Sequence, residues 1–171
     1  MLSEVEHYRK MMEDLRGQVE DLIRDLPQEA LNWRPVEDTA TGGGGHATNS
    51  LAVLAAHITG SERFWIEEMV GRLPPRRDRD AEFATEVTDA AALVEDLKRV
   101  CVETRRVLSA LTAADLEGER QVQGKAVPVR WCILHVIDHT ALHLGHMQLT
   151  YQLWMGGQSG PSPRWYERLN A

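Results

Sequence analysis

The stretch His135-Val-Ile-Asp-His139-Thr-Ala-Leu-His143-Leu-Gly-His146 decides the fold. Its four histidines recur at steps of four, four and three residues. On a helix each residue turns the side chain by about 100°, so with His135 at zero, His139, His143 and His146 lie near ~40°, ~80° and ~20°. All four occupy one sector narrower than a quarter-turn. Neutral imidazole is the commonest side-chain metal ligand, and two at i and i+4 on one helix can grip a single ion. A lone histidine on an apolar face is ordinarily a packed core residue; four on one face point to a metal.

The histidines belong to a longer run, Pro128 to Trp154, which reads as one helix of ~26 residues and about 39 Å. Pro128 suits its first helical position, and Gly156 and Gly157 end it. Ile133, Ile137, Leu144, Met147 and Tyr151 lie roughly opposite the histidines. A bundle helix normally keeps one wet face. This one is nearly apolar all round, so a second side needs a cover, either the C-terminal segment or another subunit. A homodimer through this helix is the expectation.

Three further helices precede it. Residues 3–25 are amphipathic, with Val5, Tyr8, Met12, Leu15, Val19, Leu22 and Ile23 at three- and four-residue steps. Ser3 and Glu6 form a capping-box pattern at its start, and Pro27 follows its end. Gln28 to Pro35 reads as a short helical turn with Trp33 facing inward. Asn49 or Ser50 caps the second long helix, which runs to about Val70 with a stripe of Leu51, Leu54, Ala55, Ile58, Phe64, Trp65 and Met69. His57 falls within that stripe. The third long helix spans about 88–111, and its charged residues read as a solvated face.

The linking segments are polar. Residues 39–48 contain four consecutive glycines, Gly42 to Gly45. The lysine and Ser/Thr of a phosphate loop are missing, and the segment reads as a flexible connector or a lid over a pocket. The stretch around Arg72, Arg76, Arg77 and Arg79 mixes arginine with proline and aspartate and reads as a solvated connector. Gln121 to Val127 carries an extended pattern, and Ser162 to Leu169 reads as a last short helix with Trp165 and Tyr166 available to pack.

At 171 residues the chain is most simply one domain over 1–171, long enough for a sizeable core. The fold class expected is all-α: a four-helix bundle with short accessory helices and long connectors. A net charge of −7 argues against nucleic acid or an anionic membrane as partner. No run approaches the ~18 apolar residues of a membrane span, and the N-terminus is charged at once, with no signal core. Cys101 and Cys132 stand far apart with no CxxC, which suits a reduced, cytoplasmic protein.

In a bundle whose second and fourth long helices are neighbours, His57 joins His139 and His143. Three protein ligands leave coordination positions open for water or substrate, the arrangement of a catalytic metal. Three imidazoles suit zinc, nickel or ferrous iron. Such an ion lowers the pKa of a water or thiol and supplies a nucleophile at neutral pH. His135 and His146 are then candidates for supporting or acid–base roles, with Asp138 and Ser61 as weaker ones.

The residues Asn49-Ser-Leu-Ala-Val-Leu-Ala-Ala-His57 before Phe64-Trp65, and Val129-Arg-Trp131-Cys-Ile-Leu-His135-Val-Ile-Asp-His139-Thr-Ala-Leu-His143-Leu-Gly-His146, carry a family resemblance. The closure Leu26-Pro27 followed by Trp33-Arg-Pro35 fits it too. The chain resembles the DinB-like (DNA-damage-inducible B-like) superfamily of four-helix bundles, which also contains mycothiol-dependent maleylpyruvate isomerases and bacillithiol transferases. The resemblance implies a metal on His57, His139 and His143. It also implies an enzyme that activates a low-molecular-weight thiol for S-transfer, isomerisation or detoxification. In some relatives the position of His139 is acidic, so the resemblance does not choose the ion, and it assigns no thiol-binding residues here.

The leading expectation is a metal-dependent, thiol-transferase-like or hydrolase-like enzyme acting on a small electrophile. Its pocket would be lined by Trp33, Phe64 or Trp65 and covered by the Gly42–Gly45 loop. The alternatives are a non-catalytic metal-binding stress-response or sensor protein, and a bundle whose histidines are merely packed.

Overall fold

In the computed structural model, which describes residues 1–36 and 48–158, the apolar periodicities become four long helices. They are α1 (Ser3–Ile23), α3 (Leu51–Glu62), α5 (Ala91–Ala110) and α7 (Val129–Trp154), joined by the short helices α2 (Gln28–Asn32), α4 (Arg79–Phe83) and α6 (Ala113–Leu116). Strands β1 (Glu119–Val122) and β2 (Lys125–Pro128) form an antiparallel hairpin before α7. Among the described residues the bundle is therefore all-α apart from one hairpin. The Gly42–Gly45 segment and the helix expected over 162–169 lie outside the described residues.

In the bundle, α1 and α3 each pack against both α5 and α7. The helix carrying His57 and the helix carrying the histidine series are thus direct neighbours. Two apolar clusters fill the interior. One contains Val19, Leu31, Leu54, Ile58, Leu97 and Met147. The other contains Met12, Ile66, Leu108, Ile133 and Val136.

Between the clusters lies a polar layer. Arg16, Glu62 and Thr104, on three different helices, are 4 %, 1 % and 0 % exposed. Thr104 donates to Glu62 Oε1 at 2.5 Å, and Arg16 Nε lies 3.3 Å from Glu62 Oε2. Burial pushes the Glu62 carboxyl above its ordinary range, against the pull of the Arg16 guanidinium. Such a pair fixes which helix faces meet, because any other register strands a charge in apolar surroundings.

Several local details differ from the sequence reading. Ser3 does not cap α1: Leu2 occupies that position without a side-chain bond, and its carbonyl accepts from Glu6 N–H at 3.0 Å, so the helix begins one residue earlier. Glu6 pairs with Arg9 instead, at 2.6 Å. Pro128 is the N-cap of α7 and not its first helical residue, because it is still extended (φ −59°, ψ 140°) and in register with Glu119 in the hairpin. Ser50 does cap α3, accepting from Val53 N–H at 3.2 Å. Residues 112–115, expected as part of a polar link, form a capping box that starts α6.

The second long helix changes character midway. From Arg63 to Val70 it continues as a π-helix, whose wider turns shift the register of every later side chain. Gly71 closes it, its N–H donating to Ile66 O at 2.8 Å. A Cβ at this position would stand 2.7 Å from Glu67 O and 2.8 Å from Val107 Cγ2, so only glycine fits. Arg120, brought over by the hairpin, donates to Met69 O at 3.0 Å and Val70 O at 3.1 Å. It thereby satisfies carbonyls that a helix end leaves without partners.

The connector after Gly71 is not a loose solvated link. Glu68 Oε1 accepts the backbone N–H groups of Arg76 and Arg77 at 2.7 and 2.8 Å, and Glu67 pairs with Arg76 at 2.6 Å. Both glutamates are buried on the π-helix, facing the chain that runs across it.

Removing Arg16 leaves Glu62 buried without its cation. Arg16→Met is expected to cost on the order of 3 kcal/mol, read from urea unfolding curves of otherwise identical protein.

Candidate metal centre

His57 is buried on α3, and His139 and His143 are half-buried one turn apart on α7. His57 Nε2 lies 3.1 Å from His139 Nε2. The ring centroids of His57 and His143 are 5.0 Å apart, and those of His139 and His143 4.4 Å. One nitrogen from each ring falls within 4.8 Å of the others. A cation held at ~2.0–2.1 Å by each imidazole would place the nitrogens about 3.3 Å apart in a tetrahedral array. The His57–His139 pair already meets that spacing, and the His143 nitrogen lies within 4.8 Å of both.

The donor chemistry fits a cation as well. His57 Nδ1 lies 2.9 Å from Glu82 Oε2. A carboxylate accepts, so Nδ1 carries the hydrogen and Nε2 keeps its lone pair facing His139. Among the described residues His139 Nδ1 is buried without a partner, and Nε2 is the nitrogen of that ring turned to the common point. Metal ligands must be neutral imidazoles. Burial first, then the neighbouring histidines, pushes His139 down to about 3 and His143 down to about 4. Both are therefore neutral at physiological pH.

The remaining histidines extend the series in two directions. His135 stacks on Trp131, with centroids 4.7 Å apart and planes 5° from parallel, and meets the edge of Trp65 at 5.0 Å. Burial lowers its pKa. Its centroid is 5.5 Å from that of His139. His146 is exposed, with Nδ1 3.3 Å from His143 Nδ1. Asp138 is exposed on α7, and Ser61 is buried one turn beyond His57.

The aromatic surroundings differ in part from the expected lining. Phe64 meets Trp65 edge-on at 5.0 Å, and Trp65 reaches the site through His135. Trp33 packs instead against Trp154, at the far end of α7. Phe83, on α4, takes the place beside His57 at 4.9 Å.

Glu82 and Arg77 are the residues that the sequence did not reveal. Arg77 donates to both oxygens of Glu82, at 2.7 and 2.9 Å. Burial alone would raise the Glu82 carboxyl, but Arg77 and His57 outweigh it and hold it below the ordinary carboxylate range. Both residues sit in an irregular charged stretch with no periodicity to read, and nothing in that pattern marks which of its acids turns inward.

A sequence profile of the DinB superfamily matches residues 11–147. The chain belongs to the DinB superfamily. Solved structures agree at the level of the DinB-like fold. A conserved protein of Enterococcus faecalis superposes with a TM-score of 0.73 at 13 % identity, covering 91 % of this chain and 99 % of its own. A DinB-like protein of Bacillus subtilis gives 0.65 at 19 % identity, covering 91 % and 96 %. A DinB-like protein of Bacillus cereus gives 0.64 at 17 %, covering 90 % and 91 %. No curated protein matches the chain. The histidine triad of this DinB-superfamily member is thus set on a bundle shared by distant relatives.

The depressed pKa values fix how stability depends on pH. An unfolded histidine titrates near ~6.5, whereas folded His139 and His143 take up protons only near about 3 and about 4. Between those limits the unfolded chain binds more protons, so stability falls as pH falls. The melting temperature of metal-free protein is expected to drop from pH 7 to pH 4.5, and the slope to flatten in His139→Gln, as calorimetry would record.

Proposed function

We propose that this DinB-superfamily protein is a divalent-metal-dependent enzyme that activates a low-molecular-weight thiol, or water, against a small electrophilic substrate. The reaction classes are S-transfer, isomerisation or detoxification. The observation that carries the reading is the convergence of His57, His139 and His143 on one point, with two of the rings still half-exposed. Three neutral donors hold an ion and leave coordination positions free, as catalytic sites require.

His57, His139 and His143 hold the ion, with zinc, nickel or ferrous iron all compatible with three imidazoles. When bound, it supplies Lewis acidity that lowers the pKa of a thiol or water at its open positions. His146, exposed and with its Nδ1 3.3 Å from His143 Nδ1, is the candidate to take the proton that activation releases. His135, kept neutral by burial between Trp65 and Trp131, is the other candidate base, and the two indoles give an apolar wall for the substrate. Cys101 and Cys132 are unpaired, which fits the reducing cytoplasm. Among the described residues no helix is long and apolar enough to cross a membrane.

A second copy of the chain is proposed to pack on α7. Leu142 and Leu149 are 56 % and 55 % exposed there, with Trp131, Leu134 and Leu153 in the same outer series. Apolar side chains in such a row mark an interaction surface.

Protein purified without a histidine tag is expected to carry roughly one transition-metal ion per chain and to lose it in His139→Ala. Cobalt-substituted protein is expected to change its visible spectrum on adding mycothiol, bacillithiol or glutathione, and to turn over electrophiles with one of them. A spectrum indifferent to every thiol and substrate would leave a binding or sensing protein, and no metal under any loading would end the metal reading. Sedimentation across micromolar concentrations is expected to give twice the chain mass, reduced to the monomer by Leu142→Glu.

A further inference from the structure

Resting on the metal reading above, we propose that Glu82 is a positioning residue for the ion. Clamped by Arg77, it locks His57 in the tautomer that offers Nε2. The connector that carries both residues therefore sets metal affinity from outside the ligand set.

The geometry has three independent parts. Glu82 Oε2 lies 2.9 Å from His57 Nδ1, the nitrogen facing away from His139. Arg77 grips both carboxylate oxygens, through Nε at 2.7 Å and a terminal nitrogen at 2.9 Å, so the carboxylate plane cannot swing. The space the carboxylate fills exists only because residue 60, one turn after His57, is glycine: a Cβ built there would overlap Glu82 Oε1. A glycine inside a buried helix is otherwise less favourable than alanine.

The chemistry follows from the proton on Nδ1. A free imidazole divides its hydrogen between two nitrogens, and the wrong tautomer points N–H at the cation. An anionic acceptor at Nδ1 removes that state and raises the basicity of Nε2. Among the described residues His139 has no comparable support, since its Nδ1 is buried there without a partner. His57 is accordingly the ligand that anchors the ion, although the histidine series on α7 contributes more rings.

The nearby Glu67–Arg76 pair gives a control. It ties the same connector with a buried glutamate and an arginine, at 2.6 Å, yet it pairs with Arg76 instead of a histidine. A role for Glu82 in merely holding the connector would be shared by Glu67, whereas a role in orienting His57 would not.

The experiment titrates the full chain with zinc or cobalt alone, in competition with a chromophoric chelator. Alongside it, nitrogen-15 spectra of the metal-free protein report the His57 tautomer. Glu82→Gln is expected to weaken metal binding by roughly 10–100-fold, to shift the cobalt absorption bands and to leave His57 as a mixture of tautomers. Glu82→Asp, one methylene short, is expected to do the same, and Gly60→Ala to follow by displacing the carboxylate. Glu67→Gln is expected to keep the wild-type affinity and tautomer.

Equal weakening in Glu67→Gln and Glu82→Gln would overturn the proposal in favour of a structural tie. Wild-type affinity and a single tautomer in Glu82→Gln would overturn it outright. Wild-type protein that binds no metal would instead bring down the metal reading itself. The tautomer spectra, which need no metal, would still show whether Glu82 orients His57.

Discussion

The 3.1 Å approach of two imidazole nitrogens from different helices is the constraint to which the rest of the structure answers. Two imidazole rings that close, with Nδ1 of one committed to a carboxylate, compete for one small volume. That arrangement persists only if the surrounding helices cannot slide apart. The buried Arg16–Glu62–Thr104 layer supplies part of that rigidity, because it sits on three helices and penalises any change in their register. The apolar clusters on either side of it supply the remainder.

The second long helix serves the site in two ways. Its regular part presents His57 to α7, and its π-helical part turns Glu67 and Glu68 onto the following connector. That connector then returns toward the start of the same helix and delivers Arg77 and Glu82 behind His57. A wide-turned helix costs hydrogen-bond quality, and such segments are frequent at functional sites. Here the gain is a fixed path for a charged segment that would otherwise remain in solvent. The hairpin contributes at the far end, where Arg120 takes up the last carbonyls of that helix.

Electrostatics within the site divide cleanly between its two halves. The α7 histidines are kept neutral by burial and by one another, which readies them as donors. Behind His57 the opposite holds: Arg77 and His57 keep Glu82 ionised despite its burial, so a paired carboxylate backs one face of the triad while the other opens toward solvent. Among the triad and its neighbours, the rings toward His143 and His146 are the more exposed, and Glu82 lies behind His57.

The sequence by itself determined the four helices, the clustering of His135, His139, His143 and His146 on one face, the place of His57 in an apolar stripe, and the DinB kinship. Each is written in contiguous residues, since helical spacing and turn chemistry are properties of a short window of chain. The tertiary structure decided which helices touch, and so which of the α7 histidines meet His57. It also decided the π-helical turn, the polar layer and the pair behind His57. Glu82 reaches a partner 25 positions earlier through a segment with no repeat. Contacts of that kind depend on how the chain is folded back on itself, and the order of residues within any one window leaves no trace of them.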